Sequence, residues 1–195
     1  PQFGVDPEMY RPLPDAQLPV TPFVVGFAGR LVAGKGVQVL LEALAGLPGD
    51  WRLRLAGSGP LQSELAARAQ ALGVAARVTF DAQIPTHQMP RFYCNLHVLV
   101  LPSLTTPSWK EQFGRVLVEA MACGVPVVGS SSGEIPHVIG EAGLVFAEGD
   151  VGALRAHLLR LQESPTLRAE LGARGRQRVL AHYTQARIAA DTLAV

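Results

Sequence analysis

Two carboxylates, Glu111 and Glu119, flank a Phe-Gly pair in the stretch "KEQFGRVLVEAMACGVPVVGSSSGEIP", residues 110 to 136. Carboxylates accept hydrogen bonds from vicinal hydroxyls, so acids placed this way suit an extended ligand rich in hydroxyl groups. Eight helical positions at about 100° each leave about 80° between the two, so a shared helical face does not explain the spacing. The pattern instead puts Glu111 in a loop at the positive end of a helix that begins near Phe113 and Gly114, and Glu119 one to two turns inside it. Each acid would then address a different part of the ligand, one a sugar and one a ribose, with amides around Phe113 and Gly114 donating to other groups. The alternative has Glu111 complementing the helix dipole and Glu119 solvated. Glu119 resists it, because Val116, Leu117, Val118, Ala120, Met121 and Ala122 make the helix apolar nearly all round, and a buried glutamate requires a partner.

"GRLVAGKG", residues 29 to 36, follows an apolar strand and opens a helix. Glycine lets backbone N–H groups approach an anion, and a helix start adds its positive dipole end. Arg30 and Lys35 bracket the loop and could neutralise a diphosphate, Arg bidentately and Lys as a point charge. A solvated turn is the alternative. Of 17 basic residues only Lys35 and Lys110 are lysines, and the placement of one of them here favours phosphate. The order is not that of a P-loop. "LAGSGPLQ", residues 55 to 62, imitates half of a dinucleotide fingerprint, but Gln62 stands where the third glycine belongs. It reads as a tight strand-to-helix turn. His87 in "DAQIPTHQMP" is assigned no chemistry, while backbone near Gln83 and Ile84 could edge a nucleotide base.

These motifs sit on alternating strands and helices. "FVVGFAG", "WRLRLAG", "RVTF", "HVLVLPS", "PVVGS" and "GLVF" read as strands. Between them lie helices such as "KGVQVLLEALAGL", "PLQSELAARAQALG" and 113–123, and two or three more close the chain. The expectation is an α/β, Rossmann-like, three-layer domain with a parallel sheet of about six strands and helices on both faces. Loops after Gly29, Gly57, Phe80, Pro102 and Gly129 would then share the carboxyl-end rim, where such sheets bind ligands. The first 22 residues hold six of the 15 prolines and no period, so residues 1–22 read as a linker over a surface and 23–195 as the domain. The opening without Met suggests a piece of something longer.

Composition narrows the function classes. With 48% hydrophobic and 17% charged residues the chain is a well-buried globular one. A net charge of +1 supplies no field for nucleic acid or an anionic membrane. No apolar run reaches the roughly 18–20 residues that span a bilayer. Cys94 and Cys123 read as reduced thiols of a cytoplasmic protein.

"GRLVAGKG", "LAGSGP", "LPS", Glu-x7-Glu in "EQFGRVLVE", "EAMACGVPVVGSSSGEIPHVI" and "GLVFAEGD" occur in this order over residues 29 to 150. Together they closely resemble the carboxy-terminal, donor-binding domain of the GT-B retaining glycosyltransferases of family 4. "FGVDPEMYRP" resembles that family's interdomain linker, with Phe3 in place of Asn. The resemblance implies a nucleotide-sugar donor as substrate, no cofactor and no metal; the chain has no Asp-x-Asp. Arg30 and Lys35 would bind the diphosphate from the loop that begins at Gly29. Glu111, with backbone at Gln112, Phe113 and Gly114, would bind the donor sugar, and Glu119 the ribose. Arg30, Lys35 and Glu111 would carry the catalysis. The partner implied is the chain's own amino-terminal acceptor domain, absent here, through which any membrane contact would run. Two other readings stay open: a non-enzymatic nucleotide-binding module and, more distantly, an NAD-dependent dehydrogenase.

Overall fold

A computed structural model describes residues 4–14 and 18–193. Phe3, part of the opening resemblance, lies outside the described residues. Six strands form one sheet: β1 Phe23–Ala28, β2 Trp51–Ala56, β3 Val78–Asp81, β4 Val98–Leu101, β5 Val127–Ser130 and β6 Leu144–Phe146, in the order β3-β2-β1-β4-β5-β6. Every pairing is parallel. The central β4 and β5 are buried at every position, as expected of strands covered on both faces.

The helices are α1 Val37–Ala45, α2 Gln62–Ala71, α3 Met89–Cys94, α4 Arg115–Ala122, α5 Ile135–Ile139, α6 Val151–Glu163, α7 Pro165–His182 and α8 Gln185–Leu193. α1 packs on α2 and α6, and α4 packs on α3 and α7. Right-handed crossovers put these two groups on opposite faces of the sheet, giving the α/β three-layer, Rossmann-like architecture read from the alternation. Because all strands run the same way, Ala28, Ala56, Asp81, Leu101 and Ser130 end at one rim.

Two loops on that rim are locked together. Gly36 is left-handed (φ 65°) and joins a short 3-10 turn, Ala33–Lys35, to α1. A Cβ there would lie 1.9 Å from the Pro102 carbonyl oxygen, so the turn after β1 and the loop after β4 can meet only at glycine.

The amino-terminal segment is more than a surface linker. Val5 and Tyr10 are buried in the core, and Val5 bridges Thr184 in parallel. Higher up the segment, His97 Nδ1 accepts from the Val24 N–H at 2.9 Å, which leaves Nε2 to donate to the Pro19 carbonyl at 3.0 Å. The bond accepted at Nδ1 requires the neutral ring, whereas the Nε2–H could donate in either form. Burial, and secondly the Arg168 cation, lower the His97 pKa from its ordinary 6.5.

The folded state therefore binds this proton less readily than the unfolded chain. The His97 contribution to stability is complete above the unfolded pKa and is lost as pH falls through the folded one. Thermal melts of wild type should drop between pH 7.5 and pH 5. The His97→Gln chain, less stable at neutral pH, should lose less over the same interval; parallel curves would exclude His97 as a source of the slope.

Candidate donor-binding site

The rim carries two hollows, one on either side of the start of α4. The first, of about 450 Å³, is lined by Gly29, Arg30, Gly57 to Pro60, Gln83, Ile84, Met89, Tyr93, Val116 and Glu119. The second, of about 420 Å³, is lined by Lys110 to Phe113 with Glu134, His137, Val138 and Tyr183. The structure thus brings Arg30 and Glu119 to one cleft and sets Glu111, Gln112 and Phe113 along the other.

Glu119 sits in the second turn of α4 with only 5% of its surface exposed. Its partners come from the protein. Oε2 accepts from the Tyr93 hydroxyl at 2.6 Å, and Oε1 accepts from Arg115 Nε at 2.7 Å. Burial first, then Glu119, raises the Tyr93 pKa well above 10, so the phenol stays a donor. Burial works against the Arg115 cation, but the pull of Glu119 and Tyr10 outweighs it and holds the pKa above its ordinary value. The burial of Glu119 therefore does not by itself demand a ligand. A carboxylate offers about four acceptor positions, so two protein donors leave room for hydroxyls entering from the cleft.

Glu111 is likewise buried and partnered. Lys35 Nζ lies 2.5 Å from Glu111 Oε2, and the Ser103 hydroxyl donates to the same oxygen at 2.9 Å. Serines hold this corner together. Ser130 Oγ donates to the Ser103 carbonyl, and Ser132 Oγ lies 3.5 Å from the Glu111 N–H. Glu148 ties the loop down by accepting from the Thr105 N–H at 2.5 Å and from its hydroxyl at 2.7 Å.

Backbone bonds engage most, not all, of the amides expected to be open in "GRLVAGKG". The N–H groups of Gly29, Leu31, Val32, Lys35 and Gly36 are spent on Ala56, Ser58, Arg30, Val32 and Ala33 carbonyls. Among the described residues the Arg30, Ala33 and Gly34 N–H groups carry no such bond. Arg30 is exposed at the cleft and has no ion-pair partner among the described residues. At the start of α4, Gly114 is left-handed (φ 79°), so the helix begins at Arg115 and not at Phe113. The Gln112 and Gly114 N–H groups carry no hydrogen bond among the described residues.

Residues 13–178 match the family described as "Glycosyl transferases group 1". The chain belongs to that family. It is 34% identical over 195 aligned residues, 92% of this chain, to the GDP-mannose-dependent alpha-(1-6)-phosphatidylinositol monomannoside mannosyltransferase of Mycolicibacterium smegmatis, of which it covers 51%. It is 37% identical over 181 residues, 83% of this chain, to the D-inositol 3-phosphate glycosyltransferase of Mycobacterium bovis, covering 36% of it. Its fold matches the sucrose-phosphate synthase of Thermosynechococcus elongatus with a TM-score of 0.85 at 32% identity, over 97% of this chain and 49% of that one. The chain thus spans about half the length of its relatives, or less, and its architecture is that of the carboxy-terminal GT-B glycosyltransferase domain.

Some residues of this glycosyl transferase domain were not singled out in the sequence. Gly57 to Pro60, read as a tight turn, line the cleft. Tyr93, Ser103 and Glu148 support the two acids, yet each is ordinary in sequence; only Ser103, ending the apolar run "HVLVLPS", carried a signal. The magnitudes separate the partners of Glu119. Tyr93→Phe removes a buried donor and should cost about 1–3 kcal/mol in urea unfolding. Arg115→Ala removes a guanidinium that is 56% exposed and should cost less than about 1 kcal/mol. Equal losses would contradict the assignment of Tyr93 as the main support.

Proposed function

We propose that this chain is the donor-binding half of a retaining family 4 glycosyltransferase that moves a sugar from a nucleoside diphosphate to an acceptor hydroxyl on a glycan, a lipid-linked sugar or a small molecule. The carrying observation is the arrangement at the rim: an exposed Arg30 and a buried Glu119 in one cleft, with Lys35 and Glu111 joined beside it. In this reading Glu119 accepts from the ribose hydroxyls, and the base lies against Gln83 and Ile84. Arg30 and Lys35 hold the diphosphate, while Glu111 and the amides around Gln112, Phe113 and Gly114 hold the donor sugar. The GDP-mannose dependence named for the mycobacterial relative supports a nucleotide-sugar donor.

The acceptor oxygen attacks the anomeric carbon from the face that the leaving group occupies. The bond to the diphosphate oxygen breaks, and that oxygen takes the acceptor's proton, so configuration is kept. Arg30 and Lys35 stabilise the charge on the leaving diphosphate, which needs neither metal nor cofactor in this scheme. Residues 1–22 link to an amino-terminal acceptor domain, and the reaction belongs in the cytoplasm, with membrane contact through that other domain.

Lys35→Ala should weaken nucleoside diphosphate binding about ten- to hundredfold in calorimetry, since a charge-assisted bond is worth roughly 1.5–3 kcal/mol. Nucleoside binding should hardly change; equal losses for both ligands would remove the diphosphate assignment. Holding the acceptor against the donor supplies much of a bimolecular reaction's acceleration. The 195-residue chain should therefore bind nucleotide and transfer no sugar, and adding the amino-terminal half should restore transfer with retained configuration. Transfer by the short chain above a Glu111→Ala control would overturn the division of labour.

A further inference from the structure

The loop after β4 carries a residue that neither the sequence motifs nor the donor scheme uses. Trp109 lies two positions before Glu111, half-buried, with Lys35 Nζ 5.1 Å from the centre of its ring. The backbone around it is pinned: the Thr106 N–H donates to the Trp109 carbonyl at 2.7 Å, and the Trp109 N–H to the Thr106 carbonyl at 3.2 Å. The ring also presses on the glycine loop, where a Cβ at Gly34 would stand 2.8 Å from the indole. Gly34 is therefore needed for the tryptophan to approach, which is a reason for that glycine other than an anion.

We infer that Trp109 is a positioning residue for donor binding, one that fixes the Lys35 ammonium between its ring face and Glu111 so that the cation meets the diphosphate already in place. A lysine has four rotatable side-chain bonds, and holding it on one ion pair alone leaves much of that freedom. The ring closes the side that Glu111 leaves open. Lys35 keeps 19% of its side chain exposed, enough for a ligand oxygen to reach its remaining N–H donors. A ring face near a cation attracts it modestly in an exposed setting and more strongly when desolvated.

This inference rests on the diphosphate reading of Lys35 above. The test uses the 195-residue chain, with UDP, GDP and ADP as probes and uridine, guanosine and adenosine as controls, in calorimetry. With whichever diphosphate binds wild type most tightly, Trp109→Leu should weaken affinity about three- to tenfold. Trp109→Phe should recover most of the loss, and nucleoside affinity should not move. In a Lys35→Met background the Trp109→Leu change should cost less than about twofold, because the cation it positions is gone. Gly34→Ala, which pushes the ring aside, should copy Trp109→Leu and add little to it. Trp51 is buried in the core, so fluorescence lost in Trp109→Phe identifies the Trp109 signal, and diphosphate should perturb that signal in wild type. Unfolding midpoints within a few degrees of wild type confirm intact folding. An unchanged affinity in Trp109→Leu, or an equal loss with and without Lys35, would overturn the positioning role. Absence of diphosphate binding by wild type would overturn the donor reading itself, and is distinguishable from either.

Discussion

Burying both faces of a parallel sheet leaves only its ends for chemistry, and the rest of this molecule follows from that constraint. β4 and β5 are covered throughout and apolar up to Ser130 at the rim, so no ligand group can be mounted along their length. Parallel strands deliver all their following loops to one rim. Close approach of those loops is then what shapes the site. Gly36 against the Pro102 carbonyl and Gly34 against Trp109 join the turn after β1 to the loop after β4, and that contact brings Lys35 to Glu111.

The two acids are handled alike. Each is buried and accepts from a cation and a hydroxyl: Lys35 and Ser103 share one oxygen of Glu111, while Arg115 and Tyr93 take separate oxygens of Glu119. A bare buried carboxylate would be far too costly, and such pairing offsets the cost of burial. The two differ in exposure. Lys35 is mostly enclosed, whereas Arg115 is more than half in solvent and contributes through a screened pair. The Tyr93 hydroxyl, well above its ordinary pKa, is the firmer support for Glu119. Tyr10 approaches the same cluster from the amino-terminal segment, its pKa pushed up to about 12 by burial and then by Glu119. Its ring lies 6.4 Å from that of Tyr93, so the segment packs against the support of Glu119.

A comparable arrangement on the opposite side of α3 and α4 has no evident role in the site. Cys94 and Cys123 are buried at the ends of those two helices, and the Cys94 thiol followed by burial holds the Cys123 pKa up. Protonated and enclosed, such thiols are poor nucleophiles. They serve as small apolar residues where α3 meets α4.

Much of this was written locally and could be read locally. Period-two and short apolar runs located all six strands, because a strand covered on both faces must be apolar along its length. The apolar surroundings of Glu119 announced a buried acid, since helical periodicity fixes its neighbours. Arg30, Lys35, Glu111 and Glu119 could be singled out by residue type alone. What no local pattern held was partnership. The bond from Tyr93 to Glu119 joins residues on different helices, and that from Lys35 to Glu111 spans 76 positions. The glycines of residues 29 to 36 promised free amides, but carbonyls at Ala56, at Ser58 and within the loop itself consumed several of them. Sequence determines which groups exist and which faces are apolar, because those depend on near neighbours along the chain. The tertiary structure alone decides which donor meets which acceptor, because hydrogen bonds and ion pairs act over a few ångströms and only the packed sheet brings distant loops that close.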